Sequence, residues 1–468
     1  MPGTKIFVLI SAFIGVLIQQ AIAAPTPTQS DAELDERGVV GGPLGVVGTA
    51  ISNLNNLGSS GTGTANYNSA LSYLKTITPT ATPTSPQQAL AALSSIYEAS
   101  PTPNNLYAAI GEYVAAGLTT TNTTSALSAL SGGPSGPNSE TNSNPRNPSP
   151  PVYPKANSTD APYDLPESQL RAAIHIPSTY QYGAPGAPQP IILVPGTGST
   201  GYLTFRGSYI PLLTGSTTGD PVWLNIPGYL LNDAQTNAEY VAYAIGYISA
   251  ISAHRQVAVF GWSQGNIDTQ WAFKYWPSTR SKVTDHVAFS PDYHGTVLAN
   301  FLALGEPQPP SVLQQEYTSR FIATLRNNGG DSAYVPTTTV YSGFLDEVVE
   351  PQQGAGASAF LKDARGVGVS NNEVQTICAG QPAGSFYTHE GILYNALGYA
   401  LAVDALSHAG PGEVSRLNLA SVCASYLTPG LDLSDFVLTE DSIAVAGVAI
   451  LVYPNKVVAE PAIKSYAT

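Results

Sequence analysis

The stretch QVAVFGWSQGN, residues 256–266, decides how the chain is read. Its first half is an apolar run of the kind found in buried strands. The run breaks at Gly261-Trp262-Ser263-Gln264-Gly265, and a helical pattern follows to residue 275. A Gly-x-Ser-x-Gly match alone carries little weight in a chain with 44 glycines, so the context decides. Strand, tight turn and helix in direct succession are the setting of a nucleophile elbow. Small residues at 261 and 265 relieve crowding in such a turn. Ser263 is then expected to present its hydroxyl at the carboxyl end of a sheet. The backbone N–H of Gln264, at the helix start, is expected to face an oxyanion.

A serine hydroxyl needs a base, and the base needs an orienting acid. In this fold class the chain order is Ser, then Asp or Glu, then His. Of the six histidines, His175 and His254 precede Ser263, and His286 falls in a strand-like run. His294 follows too closely to leave room for an acid from a later strand. His408 stands at a helix end, where a cation serves as a cap. His389, in the loop-like SFYTHEG at 385–391, remains as the base. Two acids fit the order: Asp346, after the strand-like run 337–342, and Asp292, after 283–290. The pattern favours Asp346 and leaves Asp292 open. A second oxyanion donor is expected from ILVPGTGSTG at 192–201, where glycines let N–H groups turn inward and Thr197 adds a hydroxyl. That loop lacks the P-loop lysine and the spacing of a dinucleotide fingerprint.

Outward from these motifs, strand-like runs at 190–194, 256–260, 283–290 and 337–342 alternate with helical patterns such as 233–254 and 264–275. The alternation predicts an α/β domain over 161–468, its central sheet mostly parallel and flanked by helices; the elbow setting adds the expectation of an α/β-hydrolase-type catalytic domain. An apolar segment at 443–453 reads as a core helix. Before this domain, residues 119–160 are dominated by Ser, Thr, Asn, Gly and Pro and read as a disordered, glycosylated linker. Residues 24–118 form an N-terminal extension, a small helical unit or propeptide, with helical spacing at 67–77, 86–99 and 105–116. Residues 1–23 read as a secretory signal peptide: Lys5, a short apolar run, then Ala21-Ile22-Ala23. That run is too short for a membrane span, so no stable membrane anchor is expected.

The net charge of −14 excludes nucleic acid and anionic membrane surfaces as partners. Two cysteines, Cys378 and Cys423, read as one disulfide in an oxidising compartment. No His or Cys cluster has metal-ligand spacing, so neither metal nor cofactor is expected. Asn122 and Asn157 head acceptor sequons for glycosylation in loop-like sequence. Everything points to a secreted, extracellular chain, expected to be a monomer.

At this point a resemblance becomes specific. VPGTGSTG, LLNDAQTNAEYV, WSQGN, PSTRSKV, FSPDYHGTV, PSVLQQ, LRNNGG and VPTTTVYS resemble segments of the Candida antarctica lipase B-like fungal lipases, in that family's order, from about residue 189 to 440. The resemblance implies Ser263 as nucleophile, Asp346 as acid and His389 as base, with Thr197 and Gln264 as oxyanion hole. It places Asp292 and Gln315 in the acyl pocket, Trp262 at the floor of the alcohol pocket, and Val348 and Val349 on its apolar wall. It makes Cys378–Cys423 the bridge enclosing the catalytic histidine. The family's best-known member has three disulfides; here Val222 stands where another cysteine would be, and the C-terminal pair is missing. The extension before residue 160 has no counterpart in that member.

The reading is a serine-dependent carboxylic ester hydrolase acting on an ester or lipid substrate, also at an oil–water interface. An acyltransferase would use the same residues with an alcohol in place of water. A non-enzymatic binding protein would leave the triad and oxyanion loop unexplained.

Overall fold

A computed structural model of the chain describes residues 52–53, 69, 72–99, 106–119, 134–297, 307–343 and 346–468. The signal-peptide reading, residues 24–51 and Asn122 lie outside the described residues. Among the described residues, seven strands form one sheet in the order β1-β3-β2-β4-β5-β6-β7. They are β1 (Ile174–His175), β2 (Gln189–Val194), β3 (Gly219–Leu224), β4 (Val257–Trp262), β5 (Val283–Phe289), β6 (Thr337–Tyr341) and β7 (Val369–Glu373). All neighbours run parallel except β1, which pairs antiparallel with β3. The apolar runs read in the sequence are therefore central parallel strands. Ile191, Leu193, Phe260 and Phe289 enter one apolar cluster, while Ile192, Val194, Val259 and Ala288 enter the cluster on the other face. A strand buried on both faces has no polar alternation, which is why these segments read as continuous.

Six helices matter for the site: α1 (Pro86–Ala99), α2 (Leu106–Ala115), α3 (Ala234–Ile251), α4 (Gln264–Tyr275), α5 (Ala396–Ser407) and α6 (Leu433–Val452). Asp233 caps α3 by accepting from the Gln235 N–H, so the polar turn before that apolar helix sets its start. A full capping box, Asp432 with Asp435, starts α6. No helix among the described residues is long and apolar enough to cross a membrane.

The sheet order reverses between β2 and β4: the chain goes from β2 outward to β3, then returns to the other side of β2. Loops leaving the carboxyl ends of β2 and β4 therefore diverge and open a crevice between them. The loops after β5, β6 and β7 leave the same edge, because those strands are parallel to β4.

The linker reading needs correction over residues 134–160, which are packed onto the α/β core. Pro137 O accepts from Trp223 Nε1 at 2.8 Å and from Asn225 Nδ2 at 2.9 Å. Asn142 and Asn144 donate to Ala172 O and Ile174 O at 2.9 and 2.8 Å. Arg146 lies 3.6 Å above the Tyr182 ring, and Val152 is buried in the core. Asp160 accepts from the N–H and hydroxyl of Ser278. Composition missed this because the segment is held by polar groups meeting backbone, with little apolar surface. The sequon residue Asn157 is exposed. The helical segments expected near 86–99 and 105–116 correspond to α1 and α2. Ala89, Leu93, Tyr113 and Leu118 are buried in the same apolar cluster as Phe436 and Val437 of α6.

Candidate active site

Ser263 stands between β4 and α4 with φ +51° and ψ −129°. That conformation is rare for a residue with a Cβ and costs about 1–3 kcal/mol. The neighbouring glycines make it feasible. A Cβ at Gly265 would lie 2.4 Å from Pro195 O, and one at Gly261 would lie 2.3 Å from Asn266 Oδ1. The turn is then fixed by hydrogen bonds. Ser263 N–H donates to Phe289 O at 3.0 Å, and Asn266 donates through N and Nδ2 to Ser263 O at 3.0 and 3.1 Å. His286, buried in β5, meets Asn266 Oδ1 at 3.1 Å, so it braces the elbow from behind.

The loop after β2 is tied to the start of α4. The Thr197 hydroxyl lies 2.8 Å from Gln264 Oε1 and 3.0 Å from Gln315 Oε1. Gln315 Nε2 donates to the same Gln264 oxygen at 3.1 Å. Gln264 Nε2 donates to Leu230 O at 3.0 Å, so its side chain is spent on holding loops. Its backbone N–H is the first of the helix and has no helical acceptor. An anion beside Ser263 would face this N–H, favoured also by the helix dipole.

His389 follows β7 and is buried. Its Nδ1 lies 3.0 and 2.9 Å from the two carboxylate oxygens of Asp346. Val348 N–H and Val349 N–H donate to Asp346 Oδ1 at 3.0 and 2.8 Å, holding that carboxylate in place. His389 Nε2 has no hydrogen-bond partner among the described residues. Both backbone groups of His389 are held: Trp262 Nε1 and Ser290 Oγ donate to its carbonyl at 3.1 and 3.0 Å, and its N–H donates to Glu347 Oε2 at 2.9 Å. Burial alone would lower the imidazole pKa. The charge and hydrogen bond of Asp346, with Glu347 and Asp292 nearby, outweigh it and raise it above 6.5.

Of the two acids the sequence leaves open, Asp346 is the one bonded to His389. Asp292 is also fully buried, but neither of its oxygens has a hydrogen-bond partner among the described residues. Burial pushes its carboxyl up to about 7, against the pull of His389. It is thus a buried carboxyl near His389 that ionises less readily than an ordinary aspartate. Val348 and Val349 lie beside Asp346 through their N–H groups, and Trp262 lies against His389, ring centroids 5.1 Å apart. Cys378 and Cys423 form the disulfide, with His389 inside the loop it closes. His408 caps α5 and meets Asp404, as its place at a helix end suggests. Among the described residues no group of His, Cys, Asp and Glu could hold a metal ion.

The sequence reading missed Asn266, Ser290 and three glutamates around the base: Glu347, Glu390 and Glu440. Two of the glutamates directly follow a triad candidate in the chain, in LDEV and THEG, which is a legible adjacency. Glu440 comes from α6, and nothing local in the sequence places it there.

No protein-family model matches the chain. It is 38% identical over 257 residues to lipase B of Pseudozyma antarctica, covering 53% of this chain and 70% of that one. It also superposes on the crystal structure of Aspergillus fumigatus lipase B, with 46% identity and a TM-score of 0.79, covering 90% of this chain and 100% of that one. The residues from 161 onward cannot alone fill 90% of the chain, so that match reaches into the N-terminal extension. Sequence, sheet and elbow converge on one assignment: the chain belongs to the lipase B family of fungal α/β-hydrolases.

Proposed function

We propose that the chain is a secreted lipase or esterase that cleaves carboxylic esters through an acyl-enzyme on Ser263. One observation carries the reading. His389 is bonded through Nδ1 to Asp346 and its Nε2 is left unpaired among the described residues, at the sheet edge where Ser263 stands in its elbow. Ser263 Oγ attacks the ester carbonyl carbon while its proton passes to His389 Nε2. Asp346 orients the ring and stabilises the imidazolium. The Gln264 N–H donates to the oxyanion, joined by the Thr197 hydroxyl once it turns from the Gln264 and Gln315 side-chain oxygens. His389 then gives its proton to the departing alcohol oxygen, and water releases the acid by the same steps. Gln315 and Asp292 line the acyl side, and Trp262 with Val348 and Val349 limits the alcohol side. Secretion is supported by residues 1–23 and by the Cys378–Cys423 disulfide. An ester panel of increasing acyl length, run in water and at an oil interface with a competing alcohol, tests this. Free acid is the expected main product; acyl transfer to the alcohol even at low alcohol concentration would favour a transferase.

The disulfide closes a loop around the base. With a sequence separation of 45, chain entropy predicts a stabilisation of about 4 kcal/mol as an upper estimate. The β-strands do not depend on the bridge. Cys378→Ser/Cys423→Ser is therefore expected to lose activity on mild heating before circular dichroism changes. Coincident melting of activity and structure would make the bridge a general staple.

The helical unit before residue 118 is proposed to shield part of the active-site mouth. Its support is the packing of α1 and α2 on α6, whose Glu440 reaches the loop of the base. Cleavage between residues 119 and 134 should raise activity on large esters more than on small ones. Equal effects on both would leave the unit a spacer.

A further inference from the structure

The loop that carries His389 is bounded by buried carboxyls, with no Lys or Arg bonded to them among the described residues. Glu347 Oε2 accepts the His389 N–H, while Oε1 has no hydrogen-bond partner among the described residues. Glu440, on α6, accepts from the Thr388 hydroxyl at 3.1 Å and the Tyr394 hydroxyl at 2.7 Å. The Thr388 hydroxyl in turn accepts the Gly391 N–H at 2.9 Å, so Glu440 holds the loop on both sides of the base. Glu390 is fully buried, and among the described residues no side-chain hydroxyl or amide reaches either of its oxygens. The group that does reach it is the carboxyl of Glu440.

Two carboxyls in contact cannot both be ionised in a low-dielectric interior; they hydrogen-bond only when one holds a proton. The groups facing the pair are Glu347 from the loop after β6, Thr388, Tyr394 and Tyr426; Asp346 and His389 lie behind them, against Glu347. The neighbouring Asp441 on α6 is paired with Arg206, 3.6 Å away. We infer that Glu390 and Glu440 are positioning residues: a carboxyl pair sharing one proton, which latches the His389 loop to α6 and opens when that proton is lost. The inference rests on His389 being the base.

Burial holds Glu390 well above the ordinary range, raises Glu440 to about 8 and raises Glu347 to about 7. The sign follows. Carboxyls raised on folding favour the folded loop fully below the unfolded value of about 4.5. They withdraw that contribution as pH rises through their folded values. Alkaline pH should therefore loosen the base.

Glu390→Gln supplies a permanent N–H donor to Glu440 in nearly the same volume. In full-length protein, its kcat at pH 6 should stay within about twofold of wild type. Its alkaline limb should move up by roughly one pH unit, with KM unchanged. The acid limb, set by His389, serves as internal control. Glu440→Ala should lower kcat about tenfold at constant KM, and Glu440→Gln should restore most of it at pH 6. If Glu440→Ala does not fold, as judged by circular dichroism, Glu390→Gln decides alone. Superimposed alkaline limbs for wild type and Glu390→Gln would overturn the latch. Loss of the acid limb, or an active Ser263→Ala, would instead overturn the assignment of the base and nucleophile.

Discussion

Ser263→Ala is expected to remove ester hydrolysis, by on the order of a million-fold in turnover, with the fold unchanged. The size follows from the proposed chemistry, in which loss of Oγ leaves no nucleophile for His389 to activate and no acyl-enzyme. The fold should survive because the elbow is held by the Ser263 backbone and by Asn266, not by the hydroxyl. Far-ultraviolet circular dichroism and turnover on one short ester check both halves. Retention of a tenth of the activity would remove Ser263 from the mechanism.

The second large effect separates the two aspartates. Asp346→Asn should cost about ten-thousand-fold, because an amide at that place favours the wrong imidazole tautomer. The N–H groups of Val348 and Val349 would still hold the side chain, so the loss would be electronic rather than structural. Asp292→Asn should cost less than roughly tenfold near neutral pH, since burial already keeps much of that carboxyl protonated. Its effect should fall on the acyl chain preferred. The opposite ranking on one short ester would exchange the two roles.

These residues differ in how far the sequence reveals them. The elbow is legible because its requirement is local: a strand, a crowded turn with glycines, and a helix, all within QVAVFGWSQGN. His389 emerges by elimination among few histidines, and chain order narrows the acid to two. Choosing between Asp346 and Asp292 needs the geometry, because both follow parallel strands and reach the same sheet edge. β1, β3 and β7 are not legible. Gly219–Leu224 contains Asp220 and Pro221, and Val369–Glu373 is mostly polar, so neither resembles a buried strand. The segment 134–160 misled for the opposite reason: its Asn, Pro and Ser residues signal disorder by composition yet serve as specific hydrogen-bonding groups against the core. Glu440 was out of reach because its partner Thr388 is 52 residues away in the chain.

The central claim is that Ser263 carries the acyl group, and a covalent probe tests it most directly. Full-length protein treated with an alkyl phosphonate ester should gain one phosphonyl group, recovered by peptide mass mapping on the peptide containing Ser263. Hydrolytic activity should fall in proportion to that label. Full activity with Ser263 labelled, or complete inactivation with the label on another residue, would contradict the account.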